Sequence, residues 1–215
     1  MDFSKQKSLV LVAEGFFVVL ACQALGGLLL TPELLEFFPS VPLVSFLIFF
    51  SLSAFFVAIL YLWKRTSFKP IYWRGKNLFF CVFAGMVAAW LILFTNTLFI
   101  GNYSPLTHQI SSLGSQYFYP AIFILFVLGP CLEEIFYRGY LFEIMKKPFG
   151  DTAALVFLSF LFMFGHFVWS GFTIGHIALF FYSIIFTLVY IKGGLIASIS
   201  VHAFLNFCLF IISNG

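Results

Sequence analysis

The sequence predicts an all-α, polytopic membrane protein with about seven transmembrane helices. Three observations lead to this fold class: the composition, the length of the apolar runs and the distribution of the basic residues. Of the 215 residues, 62% are hydrophobic and 9% are charged, whereas soluble domains have about 45–50% apolar and about 25% charged residues. A soluble fold of this size cannot bury so much apolar surface. The lipid bilayer is therefore the predicted solvent and the first predicted partner.

The same composition excludes two other classes of protein. The chain contains 34 phenylalanines and few charges, which is the opposite of a disordered sequence. Its net charge is only +3, and the basic residues are scattered rather than gathered into a patch, which argues against a nucleic-acid partner.

Seven runs are long and apolar enough to cross a bilayer, since a spanning helix needs about 20 such residues. Helices are expected because they pair all of their own backbone groups. In chain order the predicted spans are 9–30, 42–63, 78–100, 117–141, 152–169, 172–191 and 194–212. Turn-forming residues separate them, namely Pro32, Pro39, Pro42, Lys69, Pro70, Gly101, Pro105, Pro148, Gly150, Gly171, Gly193 and Gly194.

The basic residues orient these spans. If the N-terminus is cytoplasmic, ten of the 11 Lys and Arg residues fall in cytoplasmic segments. The outer segments then contain no Lys or Arg, and their only charged residues are Glu33 and Glu36. This asymmetry follows the positive-inside rule, so the C-terminus is predicted to lie outside. No cleavable signal or organelle-targeting segment is recognisable, which favours a bacterial inner membrane.

Charged residues are nearly absent from the spans themselves. Five spans contain none, and the first contains only Glu14, near its inner end. The fourth span is different because it carries Glu133, Glu134 and Arg138, and each central charge costs about 2.5–3.5 kcal/mol. Glu134 and Arg138 have the i, i+4 spacing of a helical ion pair. Glu133 points about 100° away and needs a partner on another helix.

Two later spans carry polar side chains at a similar predicted depth, in the inner half of the membrane. His166 lies in the fifth span, while His202 and Asn206 share one face of the seventh, with Ser198 on the same stripe. A lone histidine in a helix is usually a packing residue. The whole set, on three otherwise apolar spans, predicts a functional site in the C-terminal half.

These residue types suit the attack of water on an acyl carbon. Glu133 would accept a proton from the water, oriented with help from His166. His202 and Asn206 would donate hydrogen bonds to the developing oxyanion. No Ser or Cys has an evident nucleophile arrangement, so an acyl-enzyme is the less favoured route. We expect no cofactor, but zinc held by Glu133, His166 and His202 is an open alternative, although HExxH is absent.

Three motifs resemble those of a known family. EEIFYR at 133–138, FMFGH at 162–166 and HAFLN at 202–206 resemble the EExxxR, FxxxH and HxxxN motifs of the CPBP family. Its members are the CAAX-type intramembrane endopeptidases and their bacterial relatives, also called Abi proteins. The order of the motifs, their placement on three apolar helices and the flanking Gly139 all fit.

The resemblance covers about residues 117–212, and the first three spans carry no recognisable signature. We therefore divide the single membrane domain into an N-terminal three-helix segment, 1–116, and a CPBP-like catalytic core, 117–215.

The resemblance also implies roles for individual residues. Glu133 matches the water-activating glutamate, and His166 matches the histidine that shares this water. His202 and Asn206 match the oxyanion-stabilising pair. Glu134 and Arg138 match a mainly structural ion pair. The family has been described both as zinc-dependent and as glutamate proteases, so the resemblance leaves the metal question open.

The function predicted from the resemblance is hydrolysis of a peptide bond in a peptide or protein that enters from the cytoplasmic side. One alternative is a family member that acts in bacteriocin self-immunity, or as a membrane scaffold, without proteolysis. A small transporter would also place Glu, Arg and His in the membrane, but the chain has no inverted repeat and no paired broken helices. The sequence leaves the oligomeric state open.

Overall fold

A computed structural model describes residues 3–29, 43–66, 75–100, 119, 122–170 and 176–214. In these ranges the regular structure is helical, without strands, and the predicted all-α class is confirmed. The helices are α1 (Phe3–Leu29), α2 (Leu43–Thr66), α3 (Leu78–Ile100), α4 (Gly129–Glu134), α5 (Glu143–Ser170), α6 (His176–Gly193) and α7 (Leu195–Asn214). Two π-helical segments, π1 (Ile124–Leu128) and π2 (Ile135–Phe142), adjoin α4 on either side.

Several helices are long and apolar enough to cross a membrane. Within the described residues, four segments meet this condition: Leu78–Thr95, Ile124–His166, His176–Gly193 and Leu195–Ile212. The second of these has 43 residues and includes parts of the fourth and fifth predicted spans. The protein is therefore a polytopic membrane protein. The count of seven stays a prediction, because parts of the spans 9–30, 42–63, 117–141 and 172–191 lie outside the described residues.

Two of the predicted breaks are present as backbone turns. Gly150 has φ 79° and ψ 166°, which interrupts α5 two residues after Pro148. Gly194 has φ 84° and separates α6 from α7. Glycine adopts such positive φ values at little steric cost. The turn residues predicted between the other spans lie outside the described residues.

Large apolar side chains are exposed, and several polar side chains are buried, which is unusual for a soluble protein. Phe79, Phe80 and Phe83 on α3 have exposed fractions of 80%, 73% and 69%. The residues with no exposed surface include charged and hydroxyl side chains, namely Glu134, Arg138, Ser159, Ser183, Thr187 and Ser198. Apolar side chains outside and polar ones inside are stable when lipid surrounds the helices.

The segments π1, α4 and π2 together form one continuous helix over residues 124–142, here called the fourth helix, which is enclosed by its neighbours. It packs against α2, α5 and α7, while α6 packs against α3, α5 and α7. The N-terminal helices contribute on two sides, because α1 packs on α2 and α5, and α3 packs on α6 and α7. At Gly85, a Cβ would stand 2.6 Å from Val189 and 2.8 Å from Val201, so α3 lies very close to both helices. The division at residue 116 stays a prediction.

Candidate active site

The fourth helix changes its helical form where its charged residues occur. The α-helical hydrogen bonding of α4 ends at Glu134, and π2 begins at Ile135. In a π-helix the backbone hydrogen bonds join residues i and i+5. Such segments are rare in proteins overall, but many of those that occur lie at functional sites. Glu133 and Glu134 therefore end an α-helical turn, while Arg138 belongs to the wider π-helical turn that follows.

Glu134 and Arg138 form a fully buried ion pair. Arg138 Nη1 lies 3.0 Å from Glu134 Oε1, and neither side chain has any exposed surface. Desolvating two charges is costly unless the remaining hydrogen-bonding capacity of both groups is also used. The other polar contacts of this pair therefore decide whether the site is stable.

Helix α6 supplies acceptors for the guanidinium group. Arg138 Nη2 donates to the Ser183 carbonyl oxygen at 3.1 Å and to Ser183 Oγ at 2.8 Å. Arg138 Nε donates to Thr187 Oγ1 at 3.4 Å, and this hydroxyl donates in turn to the Ser183 carbonyl at 2.8 Å. Each of the three guanidinium nitrogens has an acceptor, so the charge is held in one orientation.

Helix α7 supplies donors for the carboxylate. Glu134 Oε1 accepts from His202 Nδ1 at 2.9 Å as well as from Arg138. Ser198 Oγ contacts Glu134 Oε2 and also lies 2.9 Å from the Phe186 carbonyl oxygen. Both carboxylate oxygens therefore have partners. The ion pair joins the fourth helix to α6 and α7 in one network.

Sequence reasoning missed the contribution of α6. Ser183 and Thr187 have i, i+4 spacing in an otherwise apolar run, which places both hydroxyls on one helix face. That spacing is a usable signal for a polar partner in a neighbouring helix. The sequence alone did not identify Arg138 as that partner.

Two aromatic rings surround the imidazoles. The ring of Phe162 lies 4.6 Å from that of His166 and 6.1 Å from that of His202, measured between centroids. Phe186 stacks on His202 at 4.6 Å with an interplanar angle of 17°. The guanidinium carbon of Arg138 is 5.0 Å from the Phe162 centroid, within cation–π range. One phenylalanine therefore contacts both predicted site histidines.

The hydrogen bond of His166 defines its tautomer. His166 Nδ1 lies 2.8 Å from the carbonyl oxygen of Phe162. Since a carbonyl oxygen only accepts, Nδ1 carries the proton, and Nε2 of the neutral ring is an acceptor. That nitrogen has the right character to accept a hydrogen bond from a water molecule.

His202 is oriented by Glu134 and not by Glu133. With Nδ1–H donating to the ionised carboxylate, Nε2 is the ring's other polar atom. A neutral ring accepts at Nε2, and a doubly protonated ring donates there. The predicted role of His202, donating a hydrogen bond to the oxyanion, therefore requires its imidazolium form, which would lie next to the buried Glu134 carboxylate.

Asn206 is held at the N-terminal segment of the fourth helix. Its Nδ2 donates to the Leu125 carbonyl oxygen in π1 at 2.9 Å. The amide nitrogen has a second hydrogen, which this contact does not use.

Glu133 differs from Glu134 in its surroundings. Its Oε2 atom is buried and has no hydrogen-bond partner among the described residues. We expected the Glu133 carboxylate to have a partner on another helix. Its Oε2 atom has none among the described residues. A buried carboxylate oxygen without a protein partner is suited to bind a small polar molecule.

The residues of the zinc alternative are not arranged as metal ligands. Within the described ranges, no three His, Cys, Asp or Glu side chains lie together as metal ligands do. The alternative set of Glu133, His166 and His202 is therefore not assembled as a zinc site. The expectation that the protein needs no cofactor stays a prediction.

Ser198 tests the carboxylate end of this network. Replacing it with Ala leaves Glu134 Oε2 without its hydroxyl donor, and we expect the free energy of unfolding to fall by about 1–3 kcal/mol. Equilibrium unfolding in mixed micelles measures this change. Ser200→Ala is the matched control, because its exposed hydroxyl bonds to the Ile196 carbonyl of its own helix, and it should leave stability unchanged. Equal stability of the two variants would contradict the role assigned to Ser198.

Comparison with known proteins found a family model that matches part of the chain. Residues 115–208 match the family model described as type II CAAX prenyl endopeptidase Rce1-like. The match includes all three motifs and every residue of the buried network. No curated protein and no solved structure was found to match the chain.

Proposed function

Because residues 115–208 match the family model of Rce1-like CAAX endopeptidases, we propose that the protein is an intramembrane endopeptidase whose nucleophile is a water molecule activated by Glu133. The observation that carries the proposal is the contrast between adjacent carboxylates. Glu134 is bonded to Arg138, His202 and Ser198, whereas Glu133 Oε2 is buried without a partner in the described part of the chain. Glu133 is therefore the carboxylate suited to bind and deprotonate water.

In the proposed reaction, Glu133 accepts one proton from the water, and His166 Nε2 accepts a hydrogen bond from its other hydrogen. The water oxygen attacks the peptide carbonyl carbon. His202, as imidazolium, and the second N–H of Asn206 donate to the oxyanion. Glu133 then passes its proton to the leaving amine, so the protons balance.

The ion pair has a positioning role in this mechanism. Glu134 holds the His202 ring through Nδ1, and Arg138 holds Glu134. A carboxylate that fixes the orientation of a histidine is a common arrangement in active sites. Ser183 and Thr187 secure Arg138 in turn.

The substrate class follows from the family description and remains part of the proposal. A CAAX sequence is a C-terminal cysteine, two aliphatic residues and a variable residue, and its cysteine is prenylated. We propose that a peptide or protein of this kind enters from the cytoplasmic side. Bacteriocin self-immunity or a scaffold role without proteolysis is the alternative function.

Reconstitution tests the activity. The purified protein in liposomes should cleave either a prenylated CAAX peptide or its unprenylated equivalent into two fragments that mass spectrometry detects. Empty liposomes treated in the same way are the control. If neither peptide is cleaved while the protein remains folded, the non-proteolytic alternative is favoured. Solute flux into the liposomes, without peptide fragments, would instead support a transporter.

A chelator tests the metal-free mechanism. We expect the cleavage rate to be unchanged after dialysis against EDTA, because every proton transfer in the proposal uses protein side chains. Loss of activity that zinc restores would contradict this expectation. A mock dialysis without EDTA controls for slow inactivation.

We also propose that the N-terminus lies in the cytoplasm, in a bacterial inner membrane, with the C-terminus outside. One contact between helix ends supports this orientation, because it brings basic residues together. Gly75 N donates to the Gly193 carbonyl oxygen, which places Lys76 near Lys192. Labelling of single cysteines at Lys76 and Asn214 with an impermeant reagent should modify only Asn214→Cys in intact cells.

A further inference from the structure

Three buried polar side-chain atoms have no hydrogen-bond partner within the described ranges. They are Glu133 Oε2, Tyr137 Oη and Tyr182 Oη. Buried polar groups are rarely left unpaired, so each such atom requires an explanation. Glu133 belongs to the proposed mechanism. Tyr137 has no role in it so far, although it lies four residues from Glu133.

The Tyr137 ring is held firmly. It has no exposed surface and makes edge contacts with Phe136 at 5.0 Å, Phe162 at 5.1 Å and Phe55 at 5.9 Å. These neighbours come from its own helix, from α5 and from α2. The position of the hydroxyl group is therefore well determined by packing.

That hydroxyl reaches α5 next to His166. A Cβ built on Gly165 would stand 2.7 Å from Tyr137 Oη, closer than packed atoms come, and 3.8 Å from Phe16 of α1. The absence of a side chain at Gly165 makes room for the hydroxyl. Tyr137 Oη thus lies beside the residue that precedes the proposed water-orienting histidine.

The hydroxyl also lies near the Glu133 carboxylate. Residues four apart on a helix share one face, and the Glu133 carboxylate interacts electrostatically with the Tyr137 hydroxyl. Neither group uses the other as a direct hydrogen-bond partner. An acceptor and a donor placed in this way can both bind one small polar molecule.

We propose that the Tyr137 hydroxyl donates a hydrogen bond to the water molecule that Glu133 activates. The proposal rests on the proposed function. One lone pair of the water oxygen accepts from Tyr137 and the other attacks the carbonyl carbon, while the transferred proton goes to Glu133. Tyr137 keeps its own proton throughout. Its hydroxyl orients the nucleophile, which a phenylalanine at this position cannot do.

The first test compares two tyrosines. Tyr137→Phe should lower kcat by about 10- to 100-fold, the effect of losing one hydrogen bond to the reacting group, with KM unchanged. Tyr182→Phe is the matched control because it removes the other buried hydroxyl without a partner, and its kcat should stay at the wild-type value. Neither variant should unfold more readily, since each loses only an unpaired polar atom.

A second variant acts through the same hydroxyl without removing it. Gly165→Ala places a methyl group 2.7 Å from Tyr137 Oη, too close for packed atoms, and should displace the hydroxyl, lowering kcat. In the Tyr137→Phe background the nearest ring atom, Cζ, is 4.0 Å from that methyl group, an ordinary contact. The alanine should then cause no further loss, so the two effects should be strongly non-additive.

The outcomes separate this inference from the proposed function. If the wild type cleaves peptide and Tyr137→Phe retains its kcat, the role of Tyr137 is overturned and the endopeptidase assignment stands. Equal losses in Tyr137→Phe and Tyr182→Phe would also overturn it, because the effect would then be a general response to lost hydroxyls. If the wild type cleaves neither test peptide, the proposed function fails and the role of Tyr137 fails with it.

Discussion

Replacing Glu133 with Gln is expected to lower kcat by about 100- to 10,000-fold, the range over which general acid–base groups contribute. The carboxamide has nearly the shape of the carboxylate but cannot accept a proton from water or return one to the leaving amine. KM should change little, since the size of the side chain is preserved. Peptide cleavage in liposomes measures both constants.

Stability distinguishes lost chemistry from lost structure in this variant. Glu133 Oε2 has no hydrogen-bond partner among the described residues, so a neutral group at this position should leave the free energy of unfolding unchanged or higher. Glu14→Gln is the matched control. It makes the same chemical change in a carboxylate that bonds to Tyr61 and Arg65, and its activity should equal that of the wild type. Wild-type kcat in Glu133→Gln would rule out Glu133 as the base.

Replacing Arg138 with Met is expected to lower the free energy of unfolding by about 3–5 kcal/mol, the usual result of removing one partner of a buried pair. Glu134 would keep His202 and Ser198 as donors but lose the only buried cation bonded to it within the described residues. The Ser183 hydroxyl would also lose the donor that now bonds to it. Equilibrium unfolding in mixed micelles measures the loss.

Two further variants test whether this loss of stability comes from an unpaired buried charge. Glu134→Gln combined with Arg138→Met should recover part of the stability, because no buried charge is then left without its partner. Arg65→Met breaks a pair whose side chains are 53% and 32% exposed, and it should leave stability nearly unchanged. Equal losses in Arg65→Met and Arg138→Met would contradict the importance of burial.

The sequence was enough to select candidate site residues by type and by helix. Charges are so rare in this chain that Glu133, Glu134 and Arg138 stand out without any structure. The spacing of Glu134 and Arg138 also indicated their pairing, which the 3.0 Å contact matches. The sequence did not predict which side chains of different helices contact each other. His202 bonds to Glu134, and Glu133 Oε2, for which we expected a protein partner, has none in the described ranges.

The class of the protein was determined by the sequence alone. Transfer from water into lipid is a sum over residues, so composition and apolar run length are enough to predict a polytopic helical membrane protein. The separation of α6 from α7 was predictable for a similar reason, since a local backbone preference at Gly194 decides it.

The contacts that the two adjacent glutamates make with other helices depended on the folded molecule. Their sequence positions differ by one, yet one carboxylate is bonded to Arg138, His202 and Ser198 while the other has an oxygen without a protein partner in the described part of the chain. Which neighbour each meets depends on how the helices rotate and pack, and on the change from α to π form after Glu134. These are relations between helices that lie far apart in the sequence, and no local pattern records them.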